Sequence, residues 1–99
     1  MQNEKEILKV RVRADLTIDY ERVNVRRGAM DEIEWHTEGE PIIIDFDPDN
    51  KPFEKHSFEV TCDSPARSGP AVGGVGDYDY YVRSISLAQS ADPGVNVKP

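Results

Sequence analysis

The sequence predicts an all-β sandwich, on three observations. Ten Val and seven Ile stand against three Leu, an excess of β-branched side chains that suits a pleated sheet better than a helix. Apolar and polar residues alternate with period two through most of the chain, the pattern of strands with one wet face. Clusters of Gly, Pro, Asn and Asp separate these runs at short intervals. No stretch of useful length has helical period, and 99 residues make one domain, residues 1–99, able to bury a core without staples.

From Leu8 to Tyr20 every even position is apolar (Leu8, Val10, Val12, Ala14, Leu16, Ile18, Tyr20), while Lys9, Arg11, Arg13, Asp15 and Asp19 are polar. The run is longer than a usual strand, so a bend or bulge is expected near Ala14-Asp15, where the chain passes from one sheet to the other. At Glu21-Arg22 the phase flips and Val23 and Val25 become inward residues of a second strand ending at Arg27-Gly28. Ile33 and Trp35 alternate with Glu32, Glu34 and His36 in a third strand whose Trp marks the core. Pro41 to Asp47 forms a fourth, and its unbroken Ile42-Ile43-Ile44 run implies cover on both sides at one end. After the turn Asp49-Asn50-Lys51-Pro52, a fifth strand has His56, Phe58, Val60 and Cys62 on one face, which points the thiol inward. Ser64 to Gly76, rich in Pro, Gly and Ser, reads as a long mobile loop. Strands over Asp77 to Ala88, broken near Ser84, and over Val95 to Lys98 close the chain.

The net charge of −7 repels phosphate backbones and anionic lipid, so neither nucleic acid nor a membrane surface is expected as a partner. The acid is uneven: residues 1–30 carry net +2 and residues 31–99 net −9. In a small sandwich this predicts internal pairing between the two segments. No run is long enough to cross a bilayer. A single Cys makes no internal disulfide, and Met1-Gln2-Asn3-Glu4-Lys5-Glu6 has no apolar signal-peptide core. A cytoplasmic location is expected, with export after removal of a leader as the alternative.

Val25-Arg26-Arg27-Gly28, Ile33-Glu34-Trp35, Pro41-Ile42-Ile43-Ile44-Asp45-Phe46, Gly76-Asp77-Tyr78 and the closing Asp92-Pro93-Gly94-Val95-Asn96-Val97 come in an order and spacing that resemble the cupredoxins, the plastocyanin-like blue copper proteins. The turn between Gly28 and Ile33 is about two residues longer than the family's. The resemblance implies a Greek-key β-sandwich with an edge strand at its C-terminal end, and it excludes the family's activity. Where the family carries His after Pro this chain has Ile42, and where Gly-x-Tyr leads to Cys-x-x-His it has Val82 and Ile85. Ser86-Leu87-Ala88-Gln89 offers no axial Met. A type 1 copper site needs two imidazoles and a thiolate, and an aliphatic side chain has no lone pair to offer a metal. The three should pack as ordinary core. An immunoglobulin-like sandwich is the alternative fold; it lacks here the Cys pair that flanks Trp, with Tyr80 where the second Cys would stand. The Tyr of Gly76-x-Tyr78 should hydrogen-bond back to nearby backbone, as at the tyrosine corner of Greek-key sandwiches.

Other constellations read as structure. Asp45-x-Asp47-x-Asp49 fails as an EF-hand, since Asn50 stands at position six and His56 at position twelve. His56 and Cys62 lie about 20 Å apart along one strand, too far to share an ion with each other. Gly69, Gly73, Gly74 and Gly76 lack the Lys-Ser or Lys-Thr and the helix start of a phosphate cradle. No nucleophile and base are proposed as a pair, so no enzyme is expected and no cofactor. The function expected is that of a non-enzymatic, copper-free binding or assembly module for an unknown protein partner. Its candidate surface is a patch of Ile42 and Ile85 rimmed by Glu38 and Glu40. The alternative is a metal-binding protein with a displaced site near Asp45, Asp47 and Asp49 or at His36.

Overall fold

The computed structural model describes residues 5–19, 22–84 and 93–99. The strands are β1 (Ile7–Val12), β2 (Arg22–Arg26), β3 (Glu32–Thr37), β4 (Ile42–Phe46), β5 (Ser57–Val60), β6 (Ala66–Arg67), β7 (Gly76–Ser84) and β8 (Gly94–Lys98). They form two sheets, a small one in the order β1-β3-β6 and a larger one in the order β2-β8-β7-β4-β5. Pairing is mixed: β1 runs parallel to β3 and β2 to β8, and the remaining neighbours are antiparallel. The order is Greek-key-like, with sheet neighbours mostly distant in sequence.

The period-two runs place their apolar members inside as expected. Val10 and Val12, Val23 and Val25, Ile33 and Trp35, Ile42, Ile44 and Phe46, and Tyr78, Tyr80 and Val82 are all buried. Trp35 is at the centre of the core, with the rings of Phe46, Phe53, Phe58 and Tyr80 between 5.1 and 6.4 Å from it. Tilted and edge-on ring pairs at these spacings stabilise beyond their buried area. The indole N–H donates to Tyr80 Oη at 3.3 Å. Burial pushes the Tyr80 phenol up to about 12, against the lowering effect of that bond and with the Asp19 carboxylate adding to the rise.

Four elements depart from the expectation. The Leu8 to Tyr20 run is a strand only as far as Val12. Arg13 N–H then donates to Thr17 O and Leu16 N–H to Arg13 O, both at 2.8 Å, and the Asp15 carboxylate accepts from Thr17 N–H and Oγ1. Asp in such a turn offers the backbone an alternative to the ladder. Leu16 turns its side chain into the core from φ +69° while Ala14 is exposed, so the turn keeps only part of the expected alternation. Second, β5 stops at Val60. Thr61 and Ser64 exchange backbone hydrogen bonds at 3.1 and 3.2 Å, which leaves Cys62 exposed at the tip of a tight turn instead of inside.

Third, the Ser64 to Gly76 segment is held at several points. Ala66–Arg67 pairs with β3 as β6; Ser68 N–H donates to Ile33 O while Ile33 N–H donates to Ser68 Oγ. Val72 and Gly73 N–H both donate to Pro52 O. Tyr78 Oη donates to Gly74 O at 2.7 Å, the corner contact that Gly76-x-Tyr78 predicts. Fourth, β8 is interior, between β2 and β7, and β2 is the edge. The expected closing strand to Ala88 is described as far as Ser84, and Ile85 lies outside the described residues.

Candidate functional site

Of the three residues that the resemblance would align with copper ligands, Ile42 is the first residue of β4 and Val82 is near the end of β7. Because Ile42 pairs with Ser84 and Ile44 with Val82, Ile42 and Val82 are diagonal neighbours on the inner face of the larger sheet. Their exposures are 1% and 0%. Val60 of β5 faces Ile42 from the other side, so this end of the sandwich is filled by aliphatic side chains. Ile85, the third match, is outside the described residues.

Of the candidate patch, Ile42 therefore contributes no surface, while Glu38 and Glu40 are exposed in the turn between β3 and β4. The Glu38 carboxylate pairs with Arg11 at 3.6 Å. Thr37 Oγ1 accepts from Gly39 N–H and donates to Glu40 O. Gly39 packs closely on the turn after β1, since a Cβ there would stand 3.1 Å from Ala14 Cα. What is open at this end is a shallow cleft of about 220 Å³ on the outer face, beside Pro41, Ile43, Glu59 and Arg83.

The displaced-metal residues are not brought together. Asp45 accepts from Arg83 at 3.2 Å, and Asp47 accepts from Asp49 N–H at 2.9 Å as the cap of its own turn. His36 Nε2 and Glu34 Oε1 are 2.7 Å apart, and Glu34 also accepts from Arg67. Those two hydrogen bonds, Arg67's first, hold the Glu34 carboxyl below the usual range against a small opposing effect of burial. His56 and Cys62 are exposed. Among the described residues no group of three or more His, Cys, Asp or Glu is placed to hold a metal ion.

Sequence reasoning missed two features. One is Asp31, 1% exposed, which accepts from the backbone N–H of Glu6 and of Arg26 and from the Arg26 guanidinium at 2.8 Å. Burial raises its pKa, but the guanidinium and the two amides outweigh burial and hold the carboxyl below the usual range. The only signal was an Asp just past a turn with Arg five residues before it. The other is a cleft of about 580 Å³ along β1 and β2, which depends on two strands that belong to different sheets. The described residues contain no helix long and apolar enough to cross a membrane. The chain matches no protein-family model and no curated protein.

Proposed function

We propose that this chain is a cupredoxin-like sandwich without the copper site, acting as a non-enzymatic protein-binding or assembly module. One observation carries the reading: Ile42 and Val82, assigned to two ligand positions from sequence spacing alone, are diagonal neighbours facing inward at one end of the same sheet. Two ligands of one metal must meet, and an arbitrary alignment would scatter them. Here both positions are packed hydrocarbon in one core, which offers a metal no electron pair. The shifted carboxyls Asp31 and Glu34 are engaged by Arg26 and Arg67, which supports a structural use over a catalytic one. A displaced metal site draws no support from the described residues, among which no group of three or more His, Cys, Asp or Glu is placed to hold an ion.

The test is to add cupric ion and record the visible spectrum, alongside metal analysis of protein purified from its native source. The expected result is no intense thiolate-to-copper band and no stoichiometric metal. A blue band that disappears in Cys62→Ser would overturn the copper-free assignment, and stoichiometric metal would favour the displaced site.

A further inference from the structure

We infer that the Asp31 carboxylate is an acid-released latch between the two sheets: once it is protonated, the chain before β1 parts from the end of β2, while the core around Trp35 stays closed. The inference goes beyond the binding-module reading and does not depend on it. β1 belongs to the small sheet and β2 to the larger one, and among the described residues no ladder joins them. The cleft lined by Ile7 to Val10 and Arg22 to Asn24 lies between them. Asp31 bridges them at the end where β1 begins and β2 stops.

The bridge is made by both oxygens of a buried side chain. Oδ1 accepts from Glu6 N–H at 2.9 Å and from Arg26 Nη2 at 3.2 Å, and Oδ2 accepts from Arg26 N–H at 3.0 Å and Arg26 Nε at 2.8 Å. A carboxylate can accept all four bonds, whereas a carboxylic acid turns one oxygen into a donor, which then meets N–H groups that also donate. The guanidinium keeps its charge throughout the acid range, so protonation of Asp31 leaves it and the two amides poorly matched. A further contact across the gap, Arg26 Nη2 to Glu6 Oε1 at 3.7 Å, is an exposed ion pair and holds little by itself.

Charged groups meet at this corner from several elements. Arg26 is on β2, Glu6 and Lys5 precede β1, and on β3 the neighbouring Glu32 pairs with Lys5 and lies 4.0 Å from Arg67 of β6. Burial pushes the Asp31 carboxyl up, but the bonds from the Arg26 guanidinium and from the amides of Glu6 and Arg26 outweigh burial and hold it low. The latch is therefore closed above the unfolded value of about 3.9 and opens as pH falls through the lower, folded one. Parting stays local because the remaining ties do not titrate in that range. Glu6 O still accepts from Glu32 N–H at 3.0 Å, the β1–β3 ladder is made of backbone groups, and the rings around Trp35 carry no carboxyl. Folded chains open in such sub-global steps.

The test is residue-resolved amide hydrogen exchange by nuclear magnetic resonance between about pH 7 and about pH 2.5, corrected for the intrinsic pH dependence of exchange, with the carboxyl carbon of Asp31 followed in parallel. Protection at Glu6 and Arg26 should fall by about tenfold or more at the pH where Asp31 itself titrates, while Trp35 and Val82 change by less than about twofold. Asp31→Asn, which cannot ionise, should show the lowered protection already at neutral pH and no further local response to acid. Glu6→Gln and Glu32→Gln should keep the native response. Loss at the two amides only together with Trp35 and Val82 would mean global unfolding and overturn the latch. A midpoint more than about one pH unit from the Asp31 titration, or an undiminished acid response in Asp31→Asn, would overturn it in favour of another carboxyl. The readouts on the native protein decide the matter even where the variant does not fold.

Discussion

Asp31 shows how much one residue can organise. Its carboxylate joins the chain before β1, the end of β2 and the start of β3 through bonds to Glu6, Arg26 and its own strand. Asp31→Asn removes the charge and leaves buried donors poorly matched, at an expected cost of about 1–3 kcal/mol in urea denaturation at neutral pH. The pH dependence has a defined sign. A carboxyl held below its unfolded pKa of about 3.9 contributes stability that is present above that value and is lost as pH falls through the lower, folded pKa. The gap between the native protein and Asp31→Asn should therefore narrow as pH drops below about 4, and a constant gap would show that the carboxylate's charge is irrelevant. Glycine 73 is a second case. A Cβ on Gly73 would meet Tyr78 Oη at 2.8 Å, Lys51 O at 2.9 Å and Pro52 Cα at 3.1 Å, whereas one on Gly74 meets nothing within 4 Å. Two of the three obstacles are backbone, so Gly73→Ala should cost about 1–3 kcal/mol. Gly74→Ala should cost much less, and equal melting temperatures for the two variants would refute the tight packing at the tyrosine corner.

Single elements were legible where burial of one face was the only demand on them. β3 and β4 fall within a residue of their predicted limits, because alternating Ile and Trp, or Ile and Phe, bury well in one register and a slip by one residue would expose them all. The failures are elements whose ends are decided by hydrogen bonds. Cys62 continues the alternation of Phe58 and Val60, and nothing in that pattern marks the point where the Thr61 and Ser64 backbones close on each other. A thiol on such a turn should react with an aromatic disulfide reagent in the native protein about as fast as in urea. Protection of more than about a hundredfold in the native state, the level expected for opening a buried strand, would return Cys62 to the core. β6 was invisible for a related reason: Ala66–Arg67 is too short for any periodicity and exists because β3 offers it an edge.

At the scale of the whole molecule, charge and topology decide where surfaces are. The first thirty residues carry net +2, and the ion pairs Lys5–Glu32, Arg11–Glu38, Arg22–Asp79 and Arg26–Asp31 tie them to the acidic remainder. This is the internal complementarity that the uneven distribution predicts. Gly94 permits one of these pairs: a Cβ there would collide with the Arg22 guanidinium on its way across β8 to Asp79. The copper titration is a test at this scale. It asks whether the aliphatic end of the sandwich is closed to metal.

By itself the sequence determined the class of fold, most of the strands, Trp35 as the centre of the core, the tyrosine corner, and the absence of donor atoms at Ile42, Val82 and Ile85. These follow from the chemistry of single residues and from a period of two, both of which are local properties. Only the tertiary structure decided that β8 is interior and β2 an edge, that Asp31 is buried against Arg26, that Ile42 and Val82 touch the same core, and that β1 and β2, strands of different sheets, line one cleft. Each of these depends on pairing between strands far apart in the chain: Arg22 lies beside Gly94, and Ile7 beside Glu32. Strand pairing is made by backbone groups common to every residue, so the alternation of side chains says which face of a strand is wet but not which strand is its neighbour.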